Sequence, residues 1–343
     1  MDMNFPQPQF RVFTAEQVDT AIRDERHAVL DIVEAAYRAH HAGRTVNPES
    51  QFLRFPEGER NRIIALPAHI RDRGGDGVTG IKWISSFPEN IERGMPRASA
   101  VLILNDLATG YPMACMEASH ISAARTAASA ISALRCLARG SSAGTVRVAF
   151  IGAGVIARHV AEWLPLAALP IDRVTVHDIN PEYADGLARR IGAALCSACS
   201  TEASLETAIR SADVVVFTTT ASTPYVVNPG WFSHCPLVLH LSLRDLAPAI
   251  ILTSHNVVDD VDHCLRAQTS LHLAEAQAGH RRFVITSLPD LLCGGESPPR
   301  DRPVVFSPFG MGILDIAVGR WIYERLAAQQ PPIPRFFNDM QRA

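Results

Sequence analysis

The sequence predicts an α/β protein in which a parallel, helix-connected sheet is joined to a separate antiparallel, strand-rich block. Three observations predict it. From Val146 onward, short apolar runs alternate with helical patterns, as βα units do. A Gly-x-Gly turn sits between the first such run and the helix after it. Ahead of that region, residues 50–112 carry short apolar runs separated by Gly, Pro and Asn, the pattern of antiparallel strands.

The elements follow in order. Residues 14–43 read as helical: Thr14 with Gln17 forms a capping box, and Ile22, Val29, Ile32, Val33 and Ala36 recur at helical spacing. The strand-rich block holds Ile63–Leu66, Val78–Ser85 and Ala100–Leu104, and a turn-like segment runs from Asn105 to Pro112. The Ala- and Ser-rich stretch Ser119–Arg139 reads as a long, mostly buried helix, and Gly140–Gly144 as a linker. Strands are expected at Val146–Ile151, Arg173–His177, Val214–Thr218, Leu237–Leu241 and Asn256–Val258. Helices are expected at Val155–Leu166, Pro181–Ile191 and Leu205–Ser211, with a final amphipathic helix over Gly312–Gln329.

With 343 residues, 47% of them hydrophobic, the chain can build two ordinary domains and is no disordered chain. A net charge of −3 leaves no basic excess for nucleic acid. No apolar run is long enough to span a membrane, and the first residues lack the basic-then-apolar pattern of a secretory signal. Seven scattered cysteines suit a reducing, cytoplasmic setting. The Cys196-x-x-Cys199 pair lacks further ligands at zinc spacing, so no metal is expected. Of 32 basic residues 31 are Arg, and the single Lys is Lys82. In a chain that uses Arg so freely, one surviving ammonium marks a position that needs a compact donor with a movable pKa, unless it is there by chance.

The Gly turn reads Gly152-Ala153-Gly154-Val155-Ile156-Ala157, or G-x-G-x-x-A. The first Gly permits the tight turn and the second lets the backbone approach a pyrophosphate. Ala157 allows the helix to pack closely on the strand, and the helix N-terminus offers free N–H groups. Asp178 follows 21 residues after Ala157, at the end of the next strand, where a carboxylate accepts hydrogen bonds from ribose hydroxyls and repels a 2′-phosphate. The motif therefore predicts a Rossmann domain that binds NAD. Thr219 and Thr220 lie at the end of another strand and either line the cofactor crevice or form an ordinary turn.

Arg125 stands on an otherwise small, apolar helix, where a guanidinium needs a carboxylate, either of a substrate or of the protein. Arg54 and Lys82 lie on the strand block. Asp245 follows the strand Leu237–Leu241. It could move a proton, cap the next helix or pair with Arg244.

These residues give the chain its resemblance. Gln51–Arg54, Gly80–Lys82, Gly110–Pro112, the Ser122–Ala128 helix, Gly152–Ala157 and Asp245 resemble the ornithine cyclodeaminase/μ-crystallin family over nearly the whole chain. The resemblance implies that Arg54, Lys82 and Arg125 hold a substrate carboxylate, with Arg97 nearby, and that Asp245, with Lys82, carries the catalysis. It further implies that Ser242, Met311 and Gly312 help to hold the cofactor. The family's ornithine-cyclising pattern ends its Asp loop in Asp-Cys-Pro-Gly, whereas this chain has Ser242-Leu243-Arg244-Asp245-Leu246-Ala247-Pro248. The segments Lys82–Asn90, Arg97–Ala100, Asp259–His263, Thr269–Glu275 and Ser307–Gly312 are similar to one branch of the family. That branch oxidises N-(2-amino-2-carboxyethyl)-L-glutamate with NAD and hydrolyses the imine to 2-oxoglutarate and L-2,3-diaminopropionate, for siderophores and peptide antibiotics. Ornithine cyclodeamination, ketimine reduction, alanine dehydrogenation and a catalytically idle NAD(H)-binding protein are the alternatives.

The architecture implied is a Rossmann NAD-binding domain over residues 122–312 plus a discontinuous α+β substrate and dimerisation domain. The latter comprises residues 1–121 completed by 313–343, and a homodimer is expected.

Overall fold

The computed structural model describes residues 8–56, 58–72, 77–138, 144–195 and 198–337. Most of the Gly140–Gly144 linker and Cys196 lie outside them. The chain divides into two compact units, Met1–Arg125 with Met311–Ala343, and Thr126–Gly310.

The first unit is built on a seven-stranded sheet. Its strands are β1 (Arg11–Phe13), β2 (Thr45–Val46), β3 (Gln51–Phe55), β4 (Gly58–Arg71), β5 (Gly77–Ser86), β6 (Ala98–Asn105) and β7 (Pro112–Glu117). The order is β1-β7-β6-β5-β4-β2, with β3 also paired to β4. All pairs are antiparallel except β1 with β7, which run parallel. One face carries Leu66, Ala68, Ile70, Val78, Lys82, Leu102, Leu104 and Met116, all buried. The last helix, Gly312–Leu326, packs on it. Gly312 is required there because a Cβ would lie 2.9 Å from the Leu66 carbonyl oxygen. The opposite face leaves Leu53, Trp83 and Val101 exposed, with Trp83 beside Val101 in register.

The helical N-terminal region forms two helices, α1 (Ala15–Asp24) and α2 (Arg26–His41), where one pattern was expected. The break falls at Glu25, which caps one helix and opens the next. The Thr14/Gln17 capping box is formed as the sequence predicts. Helix α3 spans Ser119–Leu137.

The second unit carries an all-parallel sheet of eight strands: β8 (Val146–Ile151), β9 (Ile171–His177), β10 (Ala198–Thr201), β11 (Val214–Phe217), β12 (Leu237–His240), β13 (His255–Val258), β14 (Val284–Ser287) and β15 (Val304–Ser307). The order is β10-β9-β8-β11-β12-β15-β13-β14. Strands β8, β11, β12 and β15 are buried almost end to end, so they read as continuous apolar runs. The chain reverses its direction of travel across the sheet between β8 and β11. In such sheets a crevice opens at the carboxyl ends of the strands beside that point.

Candidate active site

The carboxyl end of β8 leads through Gly152 into helix α4 (Val155–Trp163). Gly152 has φ +95°, and a Cβ there would sit 3.0–3.1 Å from the backbone of Thr218 and Thr219. Only glycine allows this turn. Gly154 is the N-cap of α4, a Cβ on it would meet nothing within 4 Å, and no side chain caps the helix. Its first turn thus carries N–H groups that no side chain caps, which is the chemistry a pyrophosphate requires. Asp178, just past β9, accepts hydrogen bonds from Ala153 N (2.7 Å) and Asn180 N (2.8 Å). Its carboxylate is thereby aimed beside the glycine turn, and each oxygen retains a lone pair for a ribose hydroxyl. Val155 and Ile179 are exposed apolar residues flanking this turn, at 55% and 97%. The residues present thus fit a dinucleotide with free ribose hydroxyls. Thr220 is exposed at the end of β11.

A second cluster in the same unit centres on Asp245, which is 0% exposed. Its Oδ1 accepts hydrogen bonds from the hydroxyls of Thr219 and Tyr225, the latter at 3.1 Å. Its Oδ2 accepts from Ser242 and lies 3.2 Å from His240 Nε2. His240 Nδ1 is 3.2 Å from Ser307 Oγ. The Asp245 backbone N–H also lies 3.2 Å from Nε2, so the ring carries its proton on Nε2 when it donates to the carboxylate and on Nδ1, toward Ser307, when it accepts from that N–H. Burial alone would raise the Asp245 pKa. The His240, Ser242 and Thr219 contacts outweigh it and hold the carboxyl below its ordinary range. Tyr225 moves the other way: burial and the adjacent Asp245 charge push its phenol well up, so it stays a neutral donor. The structure thus brings together Thr219, Ser242 and Asp245. Arg244 instead bonds the Ala267 carbonyl, and Asp245 caps no helix. His240 and Tyr225 were not among the sequence candidates. A histidine inside an apolar strand reads as core, and Tyr225 lies in a turn with no local pattern.

In the first unit Lys82 is 1% exposed on β5. Its Nζ donates to Asp315 Oδ2 at 2.6 Å and to Ser122 Oγ at 3.3 Å. Arg125 approaches the other oxygen of Asp315, with Nε at 3.3 Å, and Ser122 Oγ, with Nη2 at 3.4 Å. Two cations therefore share one fully buried carboxylate. Burial pulls the Lys82 pKa down, Asp315 resists, and Arg125 adds to the fall, leaving it at about 8. Asp315 was also missed, although it carries the signal that picked out Arg125: a lone charge in the apolar run Gly312-Ile313-Leu314-Asp315-Ile316-Ala317-Val318.

Arg54 and Arg97 stand apart from this cluster. Arg54 is exposed on β3 over the Phe52 ring (5.2 Å). Arg97 is half-buried ahead of β6 and donates from Nη1 to Ser86 Oγ at 2.8 Å. Met311 is the buried N-cap of the last helix. The Ser307–Gly312 loop is fixed through Asp259, which accepts from Phe309 N (2.9 Å) and Gly310 N (2.7 Å). Among the described residues no helix is long and apolar enough to cross a membrane.

Known proteins resemble this chain along its length. N-((2S)-2-amino-2-carboxyethyl)-L-glutamate dehydrogenase of Staphylococcus aureus is 30% identical over 94% of this chain and 96% of its own. Among solved structures, an archaeal alanine dehydrogenase dimer with bound NAD superposes with a TM-score of 0.84 at 26% identity, covering 96% of this chain and 100% of its own. The Δ1-pyrroline-2-carboxylate reductase of Thermococcus litoralis, in complex with NADH and L-proline, gives 0.85 at 24% identity, covering 94% and 100%. The family model for ornithine cyclodeaminase/mu-crystallin matches residues 11–330. The chain belongs to the ornithine cyclodeaminase/mu-crystallin family.

Proposed function

We propose that this protein is an NAD-dependent oxidoreductase of amino acids. More specifically, we propose that it converts N-(2-amino-2-carboxyethyl)-L-glutamate, NAD+ and water to L-2,3-diaminopropionate, 2-oxoglutarate, NADH and a proton. The observation that carries the amino-acid reading is the Lys82–Arg125–Asp315 cluster. It gathers an ammonium and a guanidinium at one buried place on the antiparallel sheet, the kind of paired donors that a substrate carboxylate meets. The choice of substrate rests on the full-length similarity to the Staphylococcus aureus dehydrogenase.

In this reading Gly152, Ala153, Gly154, Val155 and Ile156 hold the pyrophosphate and Asp178 the ribose. Bound NAD+ supplies the hydride acceptor for the glutamyl Cα. Lys82 and Arg125 hold a substrate carboxylate, and with it the orientation of the reacting carbon. The imine left by oxidation adds water, and a proton must leave that water. Asp245 is kept ionised to receive it, but it has no exposed surface, so the proton travels through a hydroxyl bonded to it: Tyr225, Thr219 or Ser242. Tyr225 is the most exposed of the three, at 39%. The chain also acts as a homodimer in this reading. The exposed Leu53, Trp83 and Val101 on one sheet face are the apolar surface a second copy would cover.

The test is NADH formation by the purified protein with NAD and N-(2-amino-2-carboxyethyl)-L-glutamate, with 2-oxoglutarate assayed in parallel. Equal amounts of both are expected. NADH from L-alanine alone, or proline and ammonia from ornithine with no net NADH, would move the protein to another reaction of its family.

A further inference from the structure

Five buried groups run in one chain through the second unit. Asp245 Oδ2 lies 3.2 Å from His240 Nε2, and His240 Nδ1 lies 3.2 Å from Ser307 Oγ. The Ser307 carbonyl lies 3.0 Å from Cys264 Sγ, which lies 3.1 Å from Asp259 Oδ1. None of the five residues is more than 1% exposed, so each must find its hydrogen bonds inside the protein. The charge at one end sets the direction of the first links. Asp245 is held ionised by its donors. His240 Nε2 lies 3.2 Å from both the Asp245 carboxylate and the Asp245 backbone N–H, and it can serve only one of them. A lone pair on Nε2 would face a buried negative charge. An N–H there makes a hydrogen bond to a charged acceptor, roughly twice as strong as a neutral one. The ring proton therefore belongs on Nε2. Nδ1 is then a buried acceptor, and the Ser307 hydroxyl is the donor beside it.

We propose that Ser307 is a positioning residue for Asp245: its hydroxyl donates to His240 Nδ1 and holds the ring with its Nε2 proton on the Asp245 carboxylate. Ser307 is well fixed for that task. It ends β15 in register with Val258 of β13. Two and three residues on, Phe309 N and Gly310 N donate to Asp259, and Gly310 takes φ +91°, a conformation that favours glycine. Burial and the Asp259 charge push the Cys264 thiol well up, so its S–H stays in place to meet the Ser307 carbonyl or Asp259. Without the Ser307 hydroxyl, Nδ1 becomes a buried acceptor with no donor, which is costly. A turn of the ring that relieves it takes the Nε2 proton away from Asp245. Alanine fits the space and cannot donate. Threonine keeps the hydroxyl and adds one methyl group.

The inference rests on the reading of Asp245 as the proton acceptor, and the experiment separates the two. It is nuclear magnetic resonance of the NADH-loaded full-length protein with 15N-labelled histidine, run on the wild type, Ser307→Ala and Ser307→Thr. Steady-state kinetics with N-(2-amino-2-carboxyethyl)-L-glutamate and melting temperatures are measured in parallel. The chain has 13 histidines, so His240 is identified by its contacts with the Phe217 ring, which lies edge-on at 6.1 Å. The wild type is expected to carry the His240 proton on Nε2, slow to exchange with water. Ser307→Ala should weaken or lose that signal and lower kcat about three- to tenfold with KM nearly unchanged, and Ser307→Thr should keep both. A wild-type ring protonated on Nδ1 would overturn the inference even if Ser307→Ala does not fold. So would a Ser307→Ala protein with wild-type spectrum and kcat, or a Ser307→Thr protein that melts like wild type yet is as impaired as Ser307→Ala. The spectra need no turnover, so they read Ser307 whichever substrate the enzyme takes. If Asp245→Asn turns over normally while the Nε2 signal still depends on Ser307, the proton role of Asp245 falls and the Ser307 contact stands.

Discussion

Lys82 and Asp245 are both cut off from solvent, at 1% and 0% exposure, yet burial leaves them in opposite condition. Both pKa values move down. For the ammonium, that movement is toward the neutral form; for the carboxylate, it deepens ionisation. The difference lies in the partners. Among the described residues Lys82 pairs with one carboxylate, Asp315, which Arg125 also approaches, and the Arg125 charge opposes its own. Asp245 has hydroxyl donors from Thr219, Ser242 and Tyr225, with the His240 ring beside them. Desolvation penalises both charges, and hydrogen bonds to the charged form decide which one is kept. Asp245 is held by hydrogen bonds to its charged form, whereas Lys82 meets a carboxylate that Arg125 also approaches.

The largest effect should come from Asp245→Asn. The amide keeps the shape but cannot hold the proton. If Asp245 is the proton acceptor, kcat should fall about 10²–10⁴-fold. NADH binding, followed by nicotinamide fluorescence, should persist because the glycine turn is untouched. A variant with near wild-type turnover breaks the contrast, since the carboxylate would then be only a structural hub.

Asp315→Asn tests the other cluster. It leaves the buried Lys82 ammonium without its carboxylate, which should cost about 3–5 kcal/mol of stability. It should also drive the Lys82 pKa further below 8, because Asp315 was holding it up. The wild type makes a paired prediction. Below pH 8, Lys82 is charged in both folded and unfolded chains, and its burial penalty applies in full. Between about 8 and its ordinary 10.5, the unfolded chain binds more protons, so the Lys82 contribution to stability rises with pH. Substrate affinity should run the other way across the same window, as the ammonium that meets the carboxylate is lost. Thermal melts and substrate titrations at pH 7 and 9.5 check both slopes. Affinity that stays flat across that range breaks the assignment of Lys82.

How much of this was legible follows from whether the signal was local. The G-x-G-x-x-A turn and the capping box are spelled out within six residues, and both formed as read. Lys82 stood out through composition, and Arg125 through charge on an apolar helix. Asp315 carried the same mark but lies 190 residues from Arg125, so nothing in sequence joined them. The parallel pairing of β1 with β7 was invisible for the same reason. So was the register that sets Arg54 opposite Arg62 and Arg62 opposite Ser86. Strands β10 and β14 are half polar, Ala198-Cys199-Ser200-Thr201 and Val284-Ile285-Thr286-Ser287, so no apolar run marks them. His240 was hidden because an apolar strand gives no hint that its one polar member meets a carboxylate five residues on.

The smallest expected effect is the most discriminating for the Asp245 cluster. Tyr225 donates to Oδ1 at 3.1 Å and is itself held protonated by burial and by Asp245. Tyr225→Phe removes one donor and leaves the carboxylate in place. With less support for its charged form, the Asp245 pKa should rise, and the acidic limb of the kcat/KM profile should shift to higher pH. Loss of one such hydrogen bond should slow turnover roughly three- to tenfold. If Tyr225 also carries the proton outward, a solvent isotope effect on kcat should change with it, because the relay must pass to Thr219 or Ser242. A slower enzyme with an unmoved acidic limb would mean that Tyr225 only positions the substrate. The donors that keep Asp245 charged would then be Thr219, Ser242 and His240 alone.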